Sequence, residues 1–157
     1  MGKATIDATD RKILSLLIRN ARMPFLEIAR ECAISGAAIH QRVKKMEESG
    51  VIRGFRLEVD PTALGYNVSA MIGIRINDPS MNFEIVDGLR RIPEVVECHF
   101  VTGKYNIWTR VYCVDHEHLM HTILDHILRV PGVSETETFI SLSDSFGRQV
   151  SVRDLDQ

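Results

Sequence analysis

Ile92-Pro-Glu-Val95 and Val130-Pro-Gly-Val133 build the same corner twice, 38 residues apart. Proline cannot continue a helix and drives the residue before it into extended backbone, so each corner ends a helix and starts a strand. Before the first corner, residues 80–92 repeat apolar side chains at helical spacing, with Phe83, Val86 and Leu89 or Arg90 a turn apart. Residues 115–130 precede the second corner in the same way. Val68, Ala70, Ile72, Ile74 and Ile76 alternate as one face of a strand, and Val95–Thr102, Ile107–Val114 and Val133–Leu142 supply three more. The order βαββαβ follows, a split βαβ repeat that makes a four-stranded antiparallel sheet with two helices on one face.

The chain before residue 66 obeys a different pattern. Asp7 is placed to cap a first helix, Asp10 puts negative charge in its first turn, and Ile13, Leu14, Leu17 and Ile18 form its apolar stripe up to about Asn20. Pro24 opens a second short helix through Phe25, Ile28, Ala29 and Cys32. A three-residue break ends in Ser35, whose hydroxyl suits the cap of a third helix. There Ile39, Val43 and Met46 share one stripe, while His40, Gln41, Arg42, Lys44 and Lys45 occupy the rest of the cylinder. Helix, tight turn and basic helix together suit a DNA major groove. The alternative is a helical hairpin with a solvated basic face. Gly50 stops the third helix, and Val51–Val59 reads as an extended arm closed by Asp60-Pro61 and Gly65.

Charge divides along the same line. Residues 1–60 hold 11 Lys/Arg against 8 Asp/Glu, net +3, and the remainder holds 8 against 13, net −5. A basic head on an acidic body suits phosphate contact by the head alone. Cys32, Cys98 and Cys113 stand apart in apolar stretches, the pattern of buried thiols in a reducing compartment. No apolar run reaches membrane-spanning length and no secretory leader opens the chain, so the expectation is a cytoplasmic protein without a membrane partner.

One sheet face stays without a helix, yet Met71, His99, Val101, Trp108 and Tyr112 map to it. So much apolar and aromatic surface calls for a partner, and a second copy across a two-fold axis is the economical one. A dimer also presents two helix-turn-helix heads to half-sites about 10 base pairs apart or a multiple of that.

With these residues in hand, the chain resembles the leucine-responsive/asparagine-responsive (Lrp/AsnC) family of transcription regulators. The resemblance rests on Ile6-Asp7-x-x-Asp10-x-x-Ile13-Leu14, Ala21-Arg22, Ile28-Ala29, Ile34-Ser35 with Arg42-Val43, Met46-Glu47-x-x-Gly50-Val51-Ile52-x-Gly54-Phe55, Asp60-Pro61-x-x-x-Gly65, Val101-Thr102-Gly103-x-Tyr105 and the two Pro-Val corners. It implies an α+β chain: a three-helix, winged-helix-like DNA-binding domain over 1–50, an extended arm or linker over 51–65, and a βαββαβ ferredoxin-like effector and oligomerisation domain over 66–157. It also implies double-stranded DNA as partner, a homodimer assembling to an octamer, and an amino acid as effector. The expected DNA-facing residues are Arg22, Ser35, Ala37, His40, Gln41, Arg42, Lys44 and Lys45, with His40 and Gln41 toward bases and Arg22, Arg42 and Lys44 toward phosphates. The expected effector loop is Thr102, Gly103, Tyr105 and Asn106. Two departures stand out: Gly36-Ala37-Ala38 replaces the usual more polar start of the third helix, and Asn106 replaces the usual Asp, which leaves the choice of effector open.

Two other chemistries deserve weighing. His118, His121 and Asp125, spaced i, i+3, i+7, share the polar side of the last helix opposite Leu119, Ile123 and Ile127, a face for Zn2+ or Ni2+ in a metal-responsive regulator or else a solvated surface. A small ferredoxin-like enzyme is the further alternative, but no nucleophile elbow, phosphate loop or paired acid motif is present, and Asp115 beside His116 and Glu117 suits a helix cap. The expectation is therefore no catalysis, no cofactor and no resident metal.

Overall fold

The computed structural model describes residues 5–152, the Pro79 side chain excepted. It contains two compact units. Among the described residues, one comprises 5–57 together with 146–152, and the other is Glu58–Ser145.

Three helices make the first unit: α1 (Ala8–Arg19), α2 (Phe25–Cys32) and α3 (Gly36–Glu48). Asp7 and Asp10 form a reciprocal capping box at the start of α1, Asp10 N donating to Asp7 Oδ1 at 2.8 Å and Asp7 N to Asp10 Oδ2 at 3.2 Å. α1 buries Ile13, Leu16 and Leu17, whereas Ile18, expected in the stripe, is 42% exposed. At about 100° per residue both Leu14/Ile18 and Leu16 flank the Ile13/Leu17 line, and the bundle closes over the Leu16 side. α2 ends at Ala33 in the left-handed region, φ 54°, and Ser35 Oγ accepts from Ala38 N at 3.2 Å to start α3. Ile28, Ala29, Ile39, Val43 and Met46 complete the small core. Gly50, φ 74°, turns the chain so that Ile52 N donates to Met46 O at 3.0 Å. Beyond Ile52, residues 53–60 hold no helix or strand.

The second unit is the βαββαβ sheet domain: β1 (Val68–Ile76), α4 (Asn82–Arg90), β2 (Val95–Phe100), β3 (Ile107–Cys113), α5 (His116–His121) and β4 (Val133–Ile140). The sheet is antiparallel with order β2-β3-β1-β4. Ala70, Ile72, Ile74, Ile107, Val111 and Cys113 on one face meet Ile85 and Leu89 of α4 and Leu119 of α5. Two details differ from the sequence expectation. α4 buries Ile85 and Leu89, with Ile92 just beyond it, while Phe83 is 82% exposed. Both Phe83 and Ile85 head an apolar series at helical spacing, and packing against the sheet buries the Ile85 series.

The second helix is also not one α-helical run over 115–130. α5 is followed by a π-helical turn, Thr122–His126, and a 3-10 turn, Ile127–Arg129. Leu119, Ile123 and Ile127 are spaced by four, so in a regular α-helix each would overshoot the last by about 40°. The π turn takes in an extra residue and returns Ile127 to full burial.

Candidate nucleic-acid interface and effector loop

On α3, Ala37, His40, Gln41, Lys44 and Lys45 are exposed, as is the capping Ser35, while Ile39, Val43 and Met46 are buried. At about 100° per residue Ala37, Gln41, Lys44 and Glu48 fall within one narrow strip directly away from the core. The strip begins with a small residue and carries an amide and an ammonium. Lys44 Nζ lies 3.8 Å from Glu48 Oε1, a weak exposed pair that a phosphate can replace. His40 stands at the edge of the strip with its ring edge-on to Phe25, centroids 4.6 Å apart. Arg22 is exposed in the turn ahead of α2, where its backbone N donates to Asn20 Oδ1 at 3.0 Å.

Arg42 is different. Its Nη1 donates to Asp7 Oδ2 at 2.7 Å and to Asp10 Oδ1 at 2.8 Å, so the guanidinium is held by the capping box of α1. Asp10's backbone amide, and then Arg42, keep the Asp7 carboxyl below its ordinary range, and the two carboxylates raise Arg42. The partners sit 35 and 32 residues away, and no local spacing announces them.

The Thr102–Asn106 loop joins β2 to β3. Gly103 has φ 112°, a conformation glycine supplies at no steric cost. Asn106 pins the end of the loop to β1: its backbone N donates to Ile74 O at 3.0 Å, and its Oδ1 accepts from Ile76 N at 3.1 Å. Thr102 and Gly103 are exposed, and Tyr105 is half-buried. Lys104 pairs with Glu137 and lies 5.0 Å over the Tyr105 ring.

Tyr105 leads into the sheet face without helices. Its ring centroid is 5.7 Å from that of Trp108, which is 5.4 Å from Phe139, and Met71 pairs with Phe139 in the β1–β4 register. Met71, Trp108 and Tyr112 are half-buried; His99 and Val101 are exposed. Charged pairs surround them, with Arg110 Nη2 2.9 Å from Asp144 Oδ1 and Arg75 Nη1 3.3 Å from Glu135 Oε2. Phe139 and Tyr105 were not among the residues expected on this face; the antiparallel register of β4 and the fold-over of the loop put them there.

Two hollows of about 280 and 290 Å3 lie elsewhere, one between α4 and β2 beside Val86 and Cys98, the other along α5 beside Leu119 and Met120. Neither includes a residue of the Thr102–Asn106 loop.

The structure does not bring His118, His121 and Asp125 together in one cluster. His118 Nε2 meets Glu94 Oε1 at 3.1 Å and its Nδ1 accepts from Val114 N at 3.2 Å, while His121 Nδ1 meets Asp125 Oδ2 at 2.8 Å. The three side chains therefore serve two separate contacts, and no three His, Cys, Asp or Glu among the described residues are arranged to hold an ion. Cys113, buried with Sγ 3.6 Å from Thr122 Oγ1, is a thiol that burial pushes up.

A family model described as the Lrp/AsnC ligand binding domain matches residues 69–150, and one described as a winged helix-turn-helix DNA-binding domain matches 6–53. Regulatory protein AsnC of Escherichia coli (strain K12) is 35% identical over 150 residues, 96% of this chain and 99% of its own. HTH-type transcriptional regulator FL11 of Pyrococcus furiosus is 34% identical over 140 residues, 89% of this chain and 91% of its own. Among solved structures, E. coli AsnC superposes with a TM-score of 0.85 at 35% identity, covering 94% of this chain and 99% of that one. The feast or famine regulatory protein of M. tuberculosis complexed with L-methionine gives 0.87 at 26% identity, covering 95% and 100%.

Proposed function

Because the chain belongs to the Lrp/AsnC family of DNA-binding transcription regulators, we propose that it reads DNA with the outward strip of α3 and is tuned by an amino acid at the Thr102–Asn106 loop. The family regulates transcription and is not one of enzymes. One observation carries the DNA reading: Ala37, Gln41 and Lys44 project directly away from Ile39, Val43 and Met46, so core packing and groove contact use opposite sides of one helix. Gln41 and His40 approach base edges. Lys44, Lys45 and Arg22 take phosphates, Ser35 starts the helix, and small Ala37 lets it come close. Arg42 serves this surface by holding α3 against α1. We assign residues 1–50 to the DNA-binding head, 51–65 to an arm and 66 onward to the effector and assembly domain.

The effector part rests on the open Gly103 turn with a hydroxyl, a phenol and an amide beside it. It draws support from the L-methionine in the M. tuberculosis relative's structure. The face bearing Met71, Trp108, Tyr112 and Phe139 is the surface for a second copy, in a homodimer that assembles further to an octamer. The cytoplasm, where the DNA is, is its place of work. No helix among the described residues is long and apolar enough to cross a membrane.

Gel retardation on a library of double-stranded DNA, beside a thermal-shift panel of the twenty amino acids, tests both halves. The reading expects salt-sensitive selection of a two-fold-related sequence, and a rise in melting temperature with at least one amino acid. Retardation without any sequence preference would overturn the first half, and a panel without a single shift the second.

A further inference from the structure

Gly73 sits in the middle of β1 on the face without helices, opposite Trp108 in the β1–β3 register and opposite Glu137 in the β1–β4 register. Its φ lies outside the left-handed region, so its backbone suits any residue. What excludes a side chain is Tyr105. A Cβ on Gly73 would lie 2.6 Å from Cγ and Cδ2 of the Tyr105 ring and 2.8 Å from Cε2, closer than such atoms ever approach. The ring therefore rests on bare backbone. The next residues of β1 hold the same loop, through Asn106 N on Ile74 O and Ile76 N on Asn106 Oδ1. β1 thus grips the end of the loop at three successive places, and the Gly73 contact is the one that sets where the phenol lies.

We propose that Gly73 is a positioning residue for the effector loop: by presenting no Cβ it seats the Tyr105 ring directly against the β1 backbone and fixes the phenol that meets the ligand. This rests on the effector reading of the Thr102–Asn106 loop given above. The seat has a second consequence. The seated ring is the first member of the series Tyr105, Trp108, Phe139, so a ligand that moves Tyr105 changes the surroundings of Trp108 on the proposed assembly face.

Trp108 is the chain's one tryptophan, so its emission reports the seat directly, with or without ligand. In the full-length protein, Gly73→Ala displaces the ring, shifts Trp108 emission to longer wavelength, and lowers affinity for the amino acid with the largest thermal shift by about tenfold or more. Tyr105→Phe keeps the ring, leaves the emission as in the wild type, and loses only the phenol's share of affinity. In a Tyr105→Ala background, adding Gly73→Ala changes neither emission nor melting temperature, because the ring that a Cβ would meet is gone. A merely structural glycine would cost the same in both backgrounds, and that result overturns the proposal, as does wild-type emission from Gly73→Ala. If Gly73→Ala fails to fold alone, the same comparison between Tyr105→Ala and the double variant still decides, since the seat requires the double variant to fold. Should none of the twenty amino acids bind the wild type, the effector reading fails, and the ligand-free emission cycle still tests the seat.

Discussion

Arg42 Nη1 lies 2.8 Å from Asp10 Oδ1, and Asp10 Oδ2 in turn accepts from the Asp7 backbone N that opens α1. α3 is thus bolted to the first turn of another helix, through two carboxylates that already cap it. The bolt is pH-dependent. Asp7 has its folded-state pKa lowered, so its contribution is fully present above the unfolded value and lost as pH falls through the folded one. Stability should therefore decline from about pH 4 downward. Asp7→Asn keeps a capping side chain and removes the charge; it should cost less than about 1 kcal/mol at pH 7, because the pair is half-exposed and screened, and should flatten the acid decline. Calorimetric melts from pH 7 to pH 2 check this, and an unchanged acid limb would exclude Asp7 as its source.

On DNA, Lys44→Ala should weaken binding to every sequence alike and reduce the slope of log affinity against log salt by about one unit. Gln41→Ala should relax sequence preference with little change in that slope. Fluorescence anisotropy at several salt concentrations, on a selected and a scrambled duplex, separates the two. Equal loss of discrimination in both variants would remove the division between phosphate and base contacts.

Trp108→Glu places a carboxylate between Tyr105 and Phe139, where burial against a partner costs several kcal/mol or forces the group to take up a proton. The protein should fall to smaller species while its circular dichroism is retained. Light scattering that finds a folded variant with the wild-type mass would exclude this face as the interface.

Asn106→Asp keeps the acceptor that Ile76 N needs, since either side chain offers an oxygen there, and adds a negative charge beside the loop. A charged hydrogen bond to an α-amino group contributes about 1.5 to 3 kcal/mol, so binding of an α-amino acid should tighten by roughly one to two decades. Titration calorimetry of both forms measures it, and equal or weaker affinity in the Asp variant would defeat the idea.

The backbone plan was readable because its signals are local. Asp7, Ser35, Gly50 and the two Pro-Val corners act on residues within a turn of themselves, and they start or stop elements where the sequence places them. Helix phase was less readable where two apolar series ran side by side, as with Phe83 and Ile85 in α4, because tertiary packing alone chooses between them. The candidate sites divide in the same way. The exposure of Gln41, Lys44 and Lys45 follows from the Ile39, Val43, Met46 stripe. Arg42 with Asp7, and Gly73 under Tyr105, join residues tens of positions apart, and no spacing rule carries such pairs.

The widened turn at Thr122–His126 means that the segment from His116 to Arg129 has length to spare. An ordinary helix that loses a residue swings everything beyond the deletion by about 100° and drags its buried side chains into water. Here the loss of half-exposed Leu124 would let the wide turn relax to α geometry and leave Leu119, Thr122 and Ile127 still on one face. Shortening should therefore be tolerated at this point of the chain, with a melting temperature close to that of the full-length protein, where the same deletion in α4 would unfold the domain.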